Sequence, residues 1–166
     1  MAEPEALWTP RLVLRPVGPG DAAALTAWWN DPVVRRVHGL GLEPLPEEAA
    51  RRWLEEPDRA LAWIARERAA GVQVGVVEMS AVAAEGRPVF ELGIALDAGA
   101  RGRGFGPELI ERMCAWAFAA RGGAAVVAEV RLDNAVALHV FRRAGFADEA
   151  VEGPVVRMRR ARPFAS

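Results

Sequence analysis

Arg101 to Gly106, RGRGFG, places a glycine at every second position beside two arginines and a phenylalanine, and its chemistry is that of an anion site. The residues before it, Val89 to Leu96, are apolar with β-branched and aromatic members and read as a strand. After it, a helix opening at Pro107 carries Leu109, Ile110, Met113, Ala117 and Phe118 on one side at spacings of three and four. A helix start leaves backbone N–H groups without partners and carries about half a positive charge, which draws phosphate. Gly102, Gly104 and Gly106 let the chain turn with positive φ and let a ligand approach where a Cβ would stand. Pro107 suits the first helical position, where no N–H is needed. Strand, glycine turn and helix together predict a pyrophosphate cradle. A P-loop is excluded because it needs Gly-Lys-Ser or Gly-Lys-Thr and the chain has no lysine. A dinucleotide fold needs its glycines directly after the strand and an acidic residue about twenty positions on, whereas here a linker intervenes and that region is helical.

The elements that must position this turn follow from composition and pattern. A chain of 166 residues that is 52% hydrophobic suits one compact domain, residues 1–166, with 1–8 and 161–166 expected to fray. A net charge of -1 gives no pull towards nucleic acid or membranes. The start, MAEPEALW, has no basic region followed by an apolar run, and no segment has the eighteen or so apolar residues of a span, so the expected location is the cytoplasm. Arg11 to Arg15 reads as a first strand, and Asp21 as the cap of a helix through Asn30. Asp31 to Leu45, with two prolines and two glycines, reads as a loop, and Pro46 opens a second helix. Ala60 to Arg66 and Val72 to Ser80 read as a hairpin turning before Gly71. The last strands are expected at Ala147 to Val151 and Val155 to Arg159. Cys114 lies mid-helix with no base beside it, which favours packing over nucleophilic chemistry. His38 and His139 are too few and too scattered for a metal cluster, so no metal is expected.

The loop resembles the pyrophosphate loop of the GNAT superfamily of acyl-CoA-dependent N-acetyltransferases, whose pattern is Gln/Arg-x-x-Gly-x-Gly/Ala. Arg101, Gly104 and Gly106 fill it, with Gly102, Arg103 and Phe105 between them. Val126 to Phe146 resembles the second signature of the same family, with Asn134 at its asparagine, Phe141 at its aromatic place and Gly145-Phe146 at its end. The opening, TPRLVLRPVGPGDAAALTAWWNDPVVRRV, resembles the Rim-type subgroup, which acetylates the N-terminal residues of ribosomal proteins. The resemblance runs from about Thr9 to Phe146. It implies an α/β (α+β) GNAT fold: a mixed sheet of about seven strands with about four helices and a splayed strand pair for acetyl-CoA. It also implies that the backbone of Ile94, Ala95 and Leu96 holds the thioester end of acetyl-CoA, and that Asn134 and Phe141 complete the cofactor site.

By the same resemblance the reaction is transfer of an acetyl group to a primary amine by direct attack in a ternary complex. Such a transfer needs a neutral amine, a place for the oxyanion and a proton for the thiolate. Two carboxylates qualify as the base: Glu91, at the start of the splayed strand, and Glu129, in a context resembling that of the catalytic glutamate of the ribosomal type. Side chains alternate along a strand, and a bulge in either one would exchange their roles. The family's usual acid is a tyrosine where this chain has Phe141, which can only pack. Trp28, Trp29 and His38 fall in the stretch that receives the acceptor in this family, although the tryptophan pair also suits a core. A peptide or protein N-terminus is the first choice of acceptor and an aminoglycoside-like small amine the second, for a monomer or homodimer. A catalytically silent module that binds acyl-CoA is the other class, kept open by Phe141.

Overall fold

The computed structural model of the protein describes residues 4–37, 41, 43–82 and 86–163. Among them eight strands are hydrogen-bonded in the order β1-β2-β3-β4-β5-β6-β8-β7. They are β1 (Leu7–Trp8), β2 (Leu12–Pro16), β3 (Leu61–Glu67), β4 (Gln73–Val82), β5 (Val89–Leu96), β6 (Ala125–Arg131), β7 (Ala147–Glu152) and β8 (Val155–Ala161). The α-helices are α1 (Ala22–Trp29), α2 (Pro32–Val37), α3 (Glu47–Glu55), α4 (Phe105–Ala115) and α5 (Ala135–Arg143). β5 and β6 run parallel; β1/β2, β2/β3, β6/β8 and β7/β8 are antiparallel. The expected mixed sheet is therefore present, with one more strand and one more helix than the pattern suggested.

The extra strand is β1, in a segment expected to fray. Leu7 is buried and pairs with Leu14, and the indole N–H of the buried Trp63 donates to the Glu5 carbonyl at 2.8 Å. Burying a leucine of this size contributes about 1.5–3 kcal/mol, enough to order a segment too short to show any period. At the other end β8 continues to Ala161, and the Arg162 N–H donates to the Ala124 carbonyl at 2.8 Å. Residues 1–3 and 164–166 lie outside the described residues. The extra helix is α2, within the stretch expected to be a loop. Pro32 starts it, and the Asp31 carboxylate accepts from the N–H groups of Val33 and Val34 at 2.9 and 3.2 Å. The proline that argued for a loop is a helix-starting residue once an aspartate precedes it.

The chain divides into two compact units. One comprises Met1–Glu78 and Ile94–Arg103. Its core packs Leu25 and Trp28 of α1, Ala50 of α3, Ala62 and Ile64 of β3, Val76 of β4 and Ala95 of β5. Asp21 occupies the N-cap position of α1, as expected, but its side chain makes no cap bond; its carboxylate takes the Gly18 N–H at 2.8 Å and both arms of Arg15 at 2.8 and 2.6 Å. The Arg15 hydrogen bonds hold the Asp21 carboxyl below the usual carboxylate range despite its burial.

The other unit comprises Met79–Gly93 and Gly104–Ser166. In it Leu109, Ile110 and Met113 of α4 are buried, as the helical spacing predicts, and the chain widens into a π-helical turn at Trp116–Ala120. Trp116 meets the edge of Phe90 with ring centroids 5.5 Å apart. The parallel ladder of β5 and β6 is short: Val89, Phe90 and Glu91 pair with Ala125, Val126 and Val127. Both strands continue past it, β5 to Leu96 and β6 to Arg131.

β4 approaches the end of β5 closely enough that a Cβ on Gly75 would lie 2.2 Å from the Ala95 carbonyl oxygen. Gly75→Ala is expected to destabilise the protein by about 1–3 kcal/mol, the ordinary cost of overpacking. The measurement is the urea midpoint, which should fall with an unchanged slope; an unmoved midpoint would show that the strands separate there freely.

Candidate active site

The glycine turn has the backbone that its residues require. Gly102 and Gly104 have φ of 73° and 80°, a region that costs residues with a Cβ about 1–2 kcal/mol each. Gly104 is the N-cap of α4, which begins at Phe105, two residues before the expected Pro107. The buried Phe105 side chain fixes that start, and Pro107 falls inside the first turn, where an N–H has no partner within the helix. A Cβ on Gly102 would meet no protein atom within 4 Å, so glycine there leaves open space on the turn. Left-handed glycines, the start of a helix and an open approach at Gly102 fit a pyrophosphate.

The arginines of the turn serve as anchors. Arg101 Nη2 donates to Asp31 Oδ1 at 2.8 Å and to the Leu96 carbonyl at 3.0 Å. Burial opposes the charge of Asp31, yet Arg101 and the amides of α2 hold its carboxyl below the usual range. Arg103 Nη2 pairs with Glu67 Oε1 at 2.8 Å, and the Arg103 carbonyl accepts from Arg11 Nη1 at 2.8 Å. Ile94, Ala95 and Leu96 close β5, and Ala95 belongs to the same core cluster as Trp28. Directly after Leu96, Asp97 accepts from Gly99 N at 2.9 Å and from the Trp28 indole at 3.2 Å.

In the other unit Asn134 caps α5, accepting the Ala137 N–H at 3.2 Å. Phe141 is buried on that helix and meets Phe146 edge-on at 5.0 Å. Gly106 is the second residue of α4. Glu91 is partly buried at the last rung of the parallel ladder. Glu129 is exposed on β6, opposite Arg157 of β8, whose Nη1 lies 3.7 Å from its Oε1. His139 is exposed on α5. Cys114 is buried, and burial pushes its thiol up to about 11. Among the described residues no three His, Cys, Asp or Glu side chains gather where they could hold a metal. No helix among them is long and apolar enough to cross a membrane.

Of the acceptor candidates, His38 lies outside the described residues. Trp28 is a core residue, buried with its indole committed to Asp97. Trp29 is half-buried beside it, with its ring edge-on to Trp53 at 5.4 Å and 89°. Its side chain interacts with the carboxylate of Glu78, a residue absent from the expectations above. Glu78 is partly accessible, but its carboxyl sits deep enough that burial pushes its pKa up, with the Trp29 interaction opposing. The signal was one carboxylate among the apolar residues of QVGVVEMSAV.

Two outcomes follow from this geometry. Gly104→Val, or the gentler Gly102→Ala, should weaken acetyl-CoA binding at least about tenfold, read by calorimetry on variants with intact folded spectra. Unchanged affinity would remove the turn from the cofactor site. Iodoacetamide at pH 8 should leave Cys114 unlabelled until the protein is unfolded, because the reactive thiolate is scarce and enclosed; rapid labelling of the native protein would contradict its placement.

The model of the acetyltransferase (GNAT) domain family matches residues 11–147, a stretch that runs through both units. No curated protein matches the sequence significantly. A domain from Methanocaldococcus jannaschii superposes with a TM-score of 0.80 at 19% identity, covering 91% of this chain and 98% of its own. A GNAT-family acetyltransferase from Bacillus anthracis gives 0.80 at 14%, covering 94% and 98%. Spermidine N-acetyltransferase from Vibrio cholerae, in complex with CoA and spermine, gives 0.77 at 20%, covering 92% and 96%. At these identities the likeness is one of fold. The matched family model and the glycine turn agree, and this chain belongs to the GNAT family of acetyltransferases, with acetyl-CoA as its cofactor.

Proposed function

We propose that the protein is one N-acetyltransferase domain that acetylates a singly charged primary amine, a peptide N-terminus first, with Glu78 as the general base. The observation that carries this reading is the placement of Glu78. Trp29, which holds its carboxylate, packs against the same cluster as Ala95, in the run of β5 assigned to the thioester. Residues 102–106 hold the pyrophosphate through backbone amides, with Arg101 bracing the turn. By the family resemblance, Asn134 and Phe141 also serve the cofactor. Acetyl-CoA supplies an activated acetyl thioester when bound. One of the N–H groups of Ile94 to Leu96 would donate to its carbonyl oxygen. Glu78, directly or through water, takes the proton of the attacking amine, and the upward shift that burial gives its pKa favours that exchange. Phe141 has no proton to give, so the thiolate leaves to water. Cys114 has no part in the chemistry, and direct attack requires no covalent enzyme intermediate.

The acceptor follows from charge. Trp29 and Trp53 supply flat apolar surface beside one carboxylate, and Arg59 lies over Trp53 at 5.4 Å. One anion with a fixed cation nearby favours one ammonium over a polyamine. The overall resemblance to the Rim-type subgroup points to a peptide N-terminus. The fold shared with the Vibrio cholerae spermidine enzyme keeps small amines as the second reading.

Free-thiol release from acetyl-CoA with N-terminal peptides, monoamines and spermidine separates these acceptors, and release with none of them would indicate a silent binding module. Glu78→Gln should lower turnover about a hundred-fold or more with little change in acetyl-CoA affinity. In the wild type, activity should fall as the pH drops through the raised pKa of Glu78, since protonation removes the base. That limb should vanish in Glu78→Gln and persist in Glu91→Gln and Glu129→Gln. Loss confined to Glu129→Gln or Glu91→Gln would transfer the role to that residue.

A further inference from the structure

We propose that Asp31 is a positioning residue whose ion pair with Arg101 joins the start of the acetyl-CoA turn to helix α2, so that coenzyme binding rigidifies the corner that receives the amine. The inference rests on the cofactor and acceptor assignments just given. A single oxygen, Asp31 Oδ1, accepts three hydrogen bonds: from Arg101 Nη2 at 2.8 Å, Val33 N at 2.9 Å and Val34 N at 3.2 Å. The first belongs to the turn and the other two to α2, so a shift of the guanidinium is felt at once by the helix cap. Arg101 is itself tied to the Leu96 carbonyl at 3.0 Å, at the end of the strand assigned to the thioester. Both contacts are made by the same nitrogen, Nη2, so the end of β5 and Asp31 are joined through a single planar group.

Beyond the cap the connection continues through α2. Arg35 N donates to the Asp31 carbonyl at 2.9 Å. The Arg35 guanidinium reaches Asn30 Oδ1 at 3.0 Å and the Glu43 carbonyl at 2.6 Å, and it also bonds the Gly41 carbonyl. Asn30 in turn holds Leu45 through both backbone groups, each at 2.8 Å. The described residues between α1 and α3 are thus tied by polar contacts that converge on Asn30, Asp31 and Arg35. Its described members bring few apolar residues to the core, Val34 among them, so its order depends on those contacts. Tightening one of them by filling the adjacent turn lowers the cost of ordering the rest, which is positive coupling between the two ligands.

The test uses coenzyme A as the probe and hydrogen exchange of the Val33, Val34 and Arg35 amides as the readout. In the wild-type protein, saturating coenzyme A should slow these amides about fivefold or more, the low end of ordinary coupling. Asp31→Asn keeps an oxygen for the helix cap and Arg101→Gln keeps a donor for Leu96, but each removes the ion pair. Both variants, saturated with coenzyme A as judged by calorimetry, should show no added protection of α2. Full protection in either variant, or none in a wild-type protein that binds coenzyme A, overturns the proposal. A wild-type protein that does not bind coenzyme A would instead overturn the cofactor assignment, so the two failures are told apart.

Discussion

Two positive φ angles within three residues, at Gly102 and Gly104, are the constraint on which the site depends. A backbone bent this way can expose successive amides to one ligand, but only where no side chain competes for the space. The bend is then held from outside, since glycine contributes nothing of its own. Arg101 fastens one end to Asp31 and Leu96, Arg103 and Glu67 brace the middle, and buried Phe105 seats the helix that follows. Arginines that look like phosphate ligands in the sequence thereby also brace the turn, each through a carboxylate. Amides placed in advance lose little freedom on binding, whereas a flexible arginine would lose a good deal.

How much of this was legible in the sequence depended on the range of each interaction. β5, the turn and α4 were legible because periodicity and glycine chemistry are local, whereas β6, Asn134 and α5 were reached through the family resemblance and the cap made by Asn134 was not foreseen. β1 was not, because two residues carry no period and its stability comes from Trp63, far along the chain. α2 was hidden by a proline and glycines that also suit loops; only the Asp31 side chain decides between them. The site divided in the same way. The pair of Arg101 and Asp31 spans 70 positions and no pattern announces it. Glu78 sits in a strand whose other members are mostly apolar, and the chain alone does not say that Trp29 will meet it. Glu129 was singled out by its neighbours in sequence, yet its surroundings are solvent and Arg157.

The chemistry left to such a site is modest, and the fold is arranged accordingly. Phe141 takes the place of an acid with a ring packed on Phe146, and the cysteine is enclosed and held in its thiol form. Placement of a neutral amine beside a thioester can itself supply several kcal/mol of the barrier, provided the two reactants are held at contact distance. A carboxylate whose pKa is raised by burial, as that of Glu78 is, would add to that as the proposed base without a second catalytic group.

Every ion pair seen here uses arginine, because the chain contains no lysine. An ε-amine near a bound thioester is itself an acyl acceptor, and acylation would erase its charge and whatever it was holding. A guanidinium stays protonated at any physiological pH and offers no lone pair for attack. The struts around the acetyl-CoA turn are therefore built from the one cation that the enzyme's own reagent leaves untouched, and continued exposure to that reagent does not wear them away.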